Sequence, residues 1–380
     1  AYQALSNLIE RYGCVAGYPN GTYRGNRAMT RFEAAALLNA CLDRVTAVTD
    51  ELKMLMKEFS KELAILKGRV DGLEAKVGEL EAQQFSTTTK LSGYSAWVVG
   101  AAEGFTDDAN EALTFNYDLR LTLETSFTGK DMLTTRLRSG NFGDSIFSQG
   151  LTFVETASST GGNVVIDRLF YTFPVGESLT VTVGPNVRMD DAGMLGGYAT
   201  AYPSDLLLDF FTYAGGTTTT NLAGSGAGVG AVWALAPGFT LSGNYVAYAG
   251  GADSSIGIGA DETGSVSAWQ LMYSAEQLGG NVTAAAMYSY EQNFGLTIGT
   301  TAANALPIKE RNSWSIAGSW APLESGLMPS VSTGYGYSDV SETSDNVQTW
   351  YVGLEWSDVF VEGNSLGGAI GQAPYVIGND

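Results

Sequence analysis

Twelve consecutive residues, Leu113 to Glu124, alternate without exception between apolar and polar side chains. In an extended chain Leu113, Phe115, Tyr117, Leu119, Leu121 and Leu123 point one way, and Thr114, Asn116, Asp118, Arg120, Thr122 and Glu124 point the other. Such a strand has one dry face and one wet face. Its length matches a tilted crossing of a bilayer core, for which about 9–11 residues suffice. The pattern recurs down the chain, so we expect a mainly β fold, an antiparallel transmembrane β-barrel with lipid outside and water inside.

Further alternating segments fall at 91–100, 131–139, 164–173, 178–188, 226–235, 238–249, 265–274, 279–291, 312–321, 328–338 and 346–356, with weaker ones at 205–213 and 365–375. The total is about fourteen strands. Short links such as Ala236-Pro237-Gly238 and Glu276 to Gly280 alternate with long ones near 140–162, 189–225, 250–264 and 292–311, as periplasmic turns and outer loops do. Trp233, Trp320 and Trp356 lie near strand ends and are expected to form an interfacial girdle. The chain closes on Tyr375 to Asp380 without the aromatic last residue usual in such barrels. Further C-terminal strands are expected, and an intact barrel of about sixteen or more. At the other end Ala1-Tyr2 carries no signal peptide, which suggests a mature or trimmed product.

Composition narrows the function classes. No run of eighteen apolar residues exists, which rules out a conventional membrane helix and leaves a barrel untouched. Residues 1–90 hold 12 basic and 11 acidic groups, whereas residues 91–380 hold 8 and 29, so nucleic acid is not a partner. Gly363-Asn364-Ser365-Leu366-Gly367 fits the G-x-S-x-G pattern of hydrolases, but the chain has no histidine to serve as base. Gly224 to Gly230 lacks the spacing of a dinucleotide loop and reads as a strand with small residues on its inner face. No enzyme activity and no cofactor are expected; calcium in the acidic outer loops stays open.

Residues 1–44 read as a small helical module. Leu5, Leu8, Ile9 and Tyr12 recur at helical spacing before Gly13, and Tyr18-Pro19-Asn20-Gly21 makes a turn. Thr30 and Glu33 then stand three apart ahead of an apolar stretch, the capping-box arrangement. The order GCVAGYPNGTYRGNRAMTRFEAAALLNACL resembles the surface-layer homology (SLH) domain, with Phe32 in place of the usual Ala and without the usual opening Trp-Ala element. That resemblance implies binding of cell-wall polysaccharide attached to peptidoglycan, with Arg31 meeting a carboxylate, Gly17, Asn20 and Gly21 shaping the loop, and Arg24 and Arg27 assisting. The plain alternative is that Arg31 only occupies a first helical turn. Cys14 and Cys41 are expected to form a disulfide in an oxidising periplasm, worth ~3 kcal/mol, with two buried thiols as the alternative.

Residues 45–84 carry apolar positions from Val45 to Leu80 and on to Gln84 spaced 3, 4, 3, 4, 4, 3, 4, 3, 4, 3 and 4. This is a coiled-coil seam with one stutter between Phe59 and Leu63. The alternative is a lone amphipathic helix lying on the barrel, but as one helix it would extend about 60 Å, a length better suited to a free-standing periplasmic spacer. Gly68, Gly72 and Gly78 weaken its C-terminal half.

The succession of SLH module, coiled coil and Gly- and Tyr-rich barrel over 85–380 resembles the major outer-membrane porins of cyanobacteria, related to carbohydrate-selective OprB-like porins. The resemblance implies a homotrimeric diffusion channel in outer-membrane lipid, passing inorganic ions, iron among them, and small organic solutes. The SLH module and coiled coil would lie in the periplasm. Among the few basic residues of the barrel, Arg120, Arg136, Arg138, Arg168 and Arg188 all fall in the first five strands and are expected on one pore wall. Asp190, Asp191, Asp205 or Asp209, folding inward opposite them, would create a transverse field. The alternative is that each arginine neutralises a lumenal neighbour such as Asp118 or Glu124. A rival function is a plugged barrel acting as structural anchor or adhesin.

Overall fold

A computed structural model describes residues 30–42, 50–83, 88–102, 112–148, 150–202, 208–211, 213, 224–307, 309–324, 326–341, 343 and 345–378. The chain divides into two compact units, Ala1–Phe85 and Ser86–Asp380.

In the first unit, α1 (Arg31–Leu42) is followed by α2 (Asp50–Glu58) and α3 (Ser60–Gln83). The capping box forms as its spacing predicts. Thr30 N donates to Glu33 Oε2 at 2.7 Å, and Glu33 N donates to Thr30 Oγ1 at 3.2 Å. Ala34, Ala35 and Leu38 of α1 are buried, as are Leu52, Leu55 and Phe59. Burying such side chains stabilises by about 1.5–3 kcal/mol for each large one, so the first turns of the seam hold a local core. Phe59 alone separates α2 from α3, where the seam stutters, yet Phe59 N to Leu55 O and Leu63 N to Phe59 O keep the helical hydrogen-bond ladder at 2.9 Å. Beyond it, Ile65, Val70 and Leu73 stay exposed on a single chain. Cys14 lies outside the described residues, so the expected disulfide with Cys41 does too, as do Gly17, Asn20, Gly21, Arg24 and Arg27.

The second unit is one antiparallel sheet of thirteen strands in which each pairs with its sequence neighbour. They are β1 (Thr89–Gly100), β2 (Thr114–Thr125), β3 (Met132–Gly140), β4 (Val165–Val175), β5 (Leu179–Val187), β6 (Gly226–Ala236), β7 (Phe239–Ala249), β8 (Gly264–Gln277), β9 (Gly280–Gln292), β10 (Glu310–Pro322), β11 (Ser330–Val340), β12 (Asn346–Ser357) and β13 (Ser365–Ile377). A one-turn helix, α4 (Thr301–Asn304), sits between β9 and β10. Of the 205–213 segment, the described residues 208–211 and 213 form no wall strand. Val154 bridges Leu208, and Asp209–Phe211 form a 3-10 turn with Asp209 and Phe210 buried, because this stretch folds inside the barrel. No described helix is long and apolar enough to cross a membrane.

The outer face is apolar and bare. Phe115, Leu119 and Leu121 of β2 are exposed, while Asn116 and Asp118 on its other face are buried. All seven tryptophans lie on the outer face in two belts. Trp97, Trp269, Trp314 and Trp350 sit toward the sheet end that carries the 101–113, 250–263 and 293–309 connections, and Trp233, Trp320 and Trp356 toward the opposite end. Two interfacial belts are what a bilayer-spanning barrel requires. At the shortest turns the backbone chemistry is local: Leu278 and Gly279 take φ of 55° and 71°, the doubly left-handed turn that matches strand twist.

Candidate lumenal site

The connection between β5 and β6 enters the lumen and lies along the inner wall. Thr182 Oγ1 on β5 donates to Ala192 O at 2.8 Å. Asn244 Nδ2 on β7 donates to Met189 O at 2.9 Å and to Met194 O at 3.0 Å. Gln270 on β8 donates to Gly197 O at 2.9 Å, and Ser332 Oγ on β11 accepts from Ala201 N at 2.8 Å. Thr200 Oγ1 and Tyr351 Oη on β12 are 2.8 Å apart. A loop otherwise short of backbone partners is thus satisfied by the polar face of the wall.

Close approach depends on missing side chains. A Cβ on Gly230 would meet the Met194 Cα at 2.9 Å, and one on Gly353 would meet the Tyr202 ring at 2.7 Å. The small inner face read from Gly224–Gly230 is therefore the floor on which the loop rests. Met189, Met194, Tyr202, Phe210 and Tyr213 of the loop join Phe170, Val246, Val266 and Tyr351 of the wall in one buried apolar cluster. This side of the lumen is filled.

The opposite character belongs to β2–β5. Asp118 accepts from Arg120 Nε at 2.7 Å and from Arg138 Nε and Nη2 at 2.7 and 3.0 Å. Arg136 Nε donates to Asp167 at 2.6 Å, Arg168 Nε lies 2.7 Å from Asp191, and Arg188 makes a bidentate pair with Asp190 at 2.8 and 2.7 Å. The Arg120 guanidinium also covers the Tyr94 ring at 5.1 Å. All five predicted arginines therefore share one wall. Asp190 and Asp191 do come inward, but they stand beside the arginines and neutralise them in pairs, the arrangement offered above as the alternative to a transverse field. Asp118 serves as such a neighbour, whereas Glu124 is exposed at the short-turn end, in register with Lys90. Asp205 lies outside the described residues. Among the described residues no three acids converge as a calcium cage needs.

Asp167 was not singled out by the sequence reading. The β3–β4 register shifts between Arg136 and Leu137, which face Arg168 and Ile166, so Asp167 is the extra residue of a bulge. The bulge turns it to the wet side with Arg168. Two adjacent charged residues inside an otherwise alternating strand were the available signal. Glu155 and Tyr213 were missed as well, having no period to mark them. So was a buried ion pair between Glu291 and Arg311, directly opposite each other on β9 and β10. Arg138, Asp167, Arg168 and Arg188, with Glu155, Asp209 and Tyr213, line a cavity of about 130 Å³ beside the loop.

In the first unit Arg31 donates from Nε to Glu62 Oε1 at 2.7 Å and from Nη2 to Glu58 O at 2.9 Å, over the Phe59 ring. Its side chain remains 57% exposed. The hydrogen bond from Arg31 holds the Glu62 carboxyl below its ordinary range.

Comparison with known families decides the kind of wall this is. The pattern of the carbohydrate-selective porin, OprB family, matches residues 49–379. The chain belongs to the OprB porin family. The S-layer homology domain matches residues 1–35, so an SLH module precedes the porin sheet. An uncharacterized protein of Synechocystis sp. is 32% identical over 426 aligned positions, covering 99% of this chain and 77% of that one. An uncharacterized protein of Nostoc sp. is 53% identical over 201 residues, 46% of this chain but only 35% of that protein's length. Outer membrane protein SlpA of Deinococcus radiodurans is 36% identical over 85 residues, 20% of this chain and 7% of that protein. In fold, the OprB structure from Pseudomonas putida superposes with a TM-score of 0.51 at 14% identity, over 77% of this chain and 76% of that one. An OprB-family porin with an SLH module is an outer-membrane protein and a channel, not an enzyme.

Proposed function

We propose that this porin is a passive diffusion channel for inorganic ions and small hydrophilic solutes, including carbohydrates, tied to peptidoglycan-linked polysaccharide through its SLH module. The observation that carries it is the division of the lumen. An apolar loop cluster fills the β5–β13 side, while the β2–β5 side presents paired guanidinium and carboxylate groups to a polar cavity. A wall of fixed, mutually neutralised charges offers hydrogen bonds to a hydroxyl-rich solute without holding a large net charge against it. The exposed seam residues Val70 and Leu73 support self-association through a coiled coil, in keeping with a homotrimer. On the wall side, Arg31 keeps exposed donors on a guanidinium already fixed by Glu62 and Phe59, which suits capture of an anionic sugar group.

The apolar cluster inside the barrel favours a second reading, a plugged barrel whose purpose is the tether. Liposome swelling with sugars and amino acids of graded size separates the two. Swelling that falls with solute size supports the channel, and none at any size supports the plug.

A further inference from the structure

The β3–β4 and β5–β6 connections are joined inside the barrel at one place. Val154 bridges Leu208, and Asp209 N donates to Phe153 O at 2.8 Å. Beside this backbone contact, Tyr213 Oη lies 2.8 Å from Asp209 Oδ1 and 3.2 Å from Glu155 Oε2. Asp209 and Tyr213 are each 3% exposed. A hydroxyl carries one hydrogen, and an ionised carboxylate only accepts. Two hydrogen bonds along this row of three oxygens therefore need a second hydrogen, which one of the carboxyls must carry. Two acids in one buried site disfavour joint ionisation for the same reason. Burial, then Glu155, pushes the Asp209 carboxyl well above its usual range.

The surroundings do not cancel this effect. From the wall, Arg138, Asp167 and Arg168 line the same cavity, and Arg120 Nη2 reaches Glu155 O at 3.5 Å. From the start of the loop come Arg188, Asp190 and Tyr198. Arg188 favours ionisation of Asp209, but its guanidinium is held bidentately by Asp190, and Tyr198 Oη also leans on Asp190 at 3.4 Å. Ser225, Thr297 and Ile298 complete the cavity without charge. Five guanidinium groups (Arg120, Arg136, Arg138, Arg168, Arg188) thus face six carboxyls (Asp118, Asp167, Asp190, Asp191, Glu155, Asp209), and a shared proton on the last two balances the wall.

We propose that Glu155, Asp209 and Tyr213 form a proton-sharing latch that sets the ion selectivity of the passage and holds the two loops together. With the proton in place the wall is neutral and the loops stay joined. When it leaves, the passage gains one negative charge and prefers cations. This rests on the diffusion-channel reading, and the test separates the two.

The full-length protein is placed in planar bilayers, and reversal potentials are read in a KCl gradient from about pH 5 to about pH 9. The wild type should shift toward cation selectivity as pH rises. Asp209→Asn should lose that shift and stay at the low-pH value, because an amide at position 209 has no proton to release in this range. Glu155→Gln should move the shift to lower pH without abolishing it, because Asp209 keeps its burial but loses its acidic neighbour, which keeps the test alive if one variant fails to insert as a folded, heat-modifiable barrel. Wild-type conductance with pH-independent selectivity overturns the latch alone, and so does a folded Asp209→Asn protein that retains the shift or a folded Glu155→Gln protein whose shift stays at the wild-type pH. Absence of any conductance overturns the channel and the latch together.

Discussion

Met194 rests on Gly230: a Cβ at Gly230 would meet the Met194 sulfur at 2.7 Å and its Cα at 2.9 Å. The first contact could swing aside, but the second is backbone and cannot. The inner face of β6 is therefore glycine where the loop lands, and the loop's position against the wall follows from what is missing there. Gly230→Val should strain this contact by about 1–3 kcal/mol. The expected result is rapid cleavage of the β5–β6 connection in limited proteolysis while the barrel resists; cleavage at the wild-type rate would deny the contact its role.

Arg120 and Arg188 stand at opposite ends of the charged wall, each against its own aspartate. Replacing both by alanine leaves Asp118 and Asp190 under-neutralised. Reversal potentials should move toward cation selectivity by roughly two-fold or more in permeability ratio. Potentials indistinguishable from wild type would remove these residues from the passage.

Asp118 is fully buried and serves two arginines at once. Breaking a buried pair from one side costs about 3–5 kcal/mol where the remaining charge is fully enclosed. Arg120 and Arg138 keep 17% and 11% of their side-chain exposure, which places Asp118→Ala near the lower end, about 3 kcal/mol. Urea unfolding of the detergent-solubilised protein reads the loss directly, and the same variant should turn more anion-selective.

Asp131 closes the β2–β3 turn, accepting from Ser126, Thr128 and the Tyr171 hydroxyl. The Tyr171 hydrogen bond, helped by Thr128 and Ser126, holds its carboxyl well below the usual range. A depressed carboxyl stabilises the fold above its ordinary pKa, and that contribution fades as pH falls toward the folded value. Asp131→Asn should therefore lower Tm at neutral pH, with the gap to wild type narrowing below about pH 4. A gap that widens on acidification would reverse the assignment.

Arg31→Ala should sharply reduce co-sedimentation of the protein with purified cell-wall sacculi. Retention at the wild-type level would leave Arg31 with only its contacts to Glu62 and Phe59.

Much of this molecule is written in short-range periodicity. The two-residue alternation of Leu113–Glu124 predicts β2 to within a residue at either end, and twelve of the thirteen strands are read the same way; 365–375, a weaker pattern, proves to be β13. The Thr30–Glu33 pair and the Phe59 stutter are equally local, since each depends on neighbours three or four residues apart. The weak 205–213 pattern misleads because apolar residues that pack against a loop core look like those that face lipid. Arginine placement on one wall follows from strand parity together with strand order.

The sequence by itself determined which residues are wet and which are dry, because a strand can present its side chains only to alternate sides. What it left undecided was which wet groups touch. The Asp167 bulge, the landing of Met194 on Gly230 and the meeting of Glu155 with Asp209 each join segments by a register shift or a long loop. Such contacts are set by how the whole sheet brings distant strands and loops together, which no local pattern records.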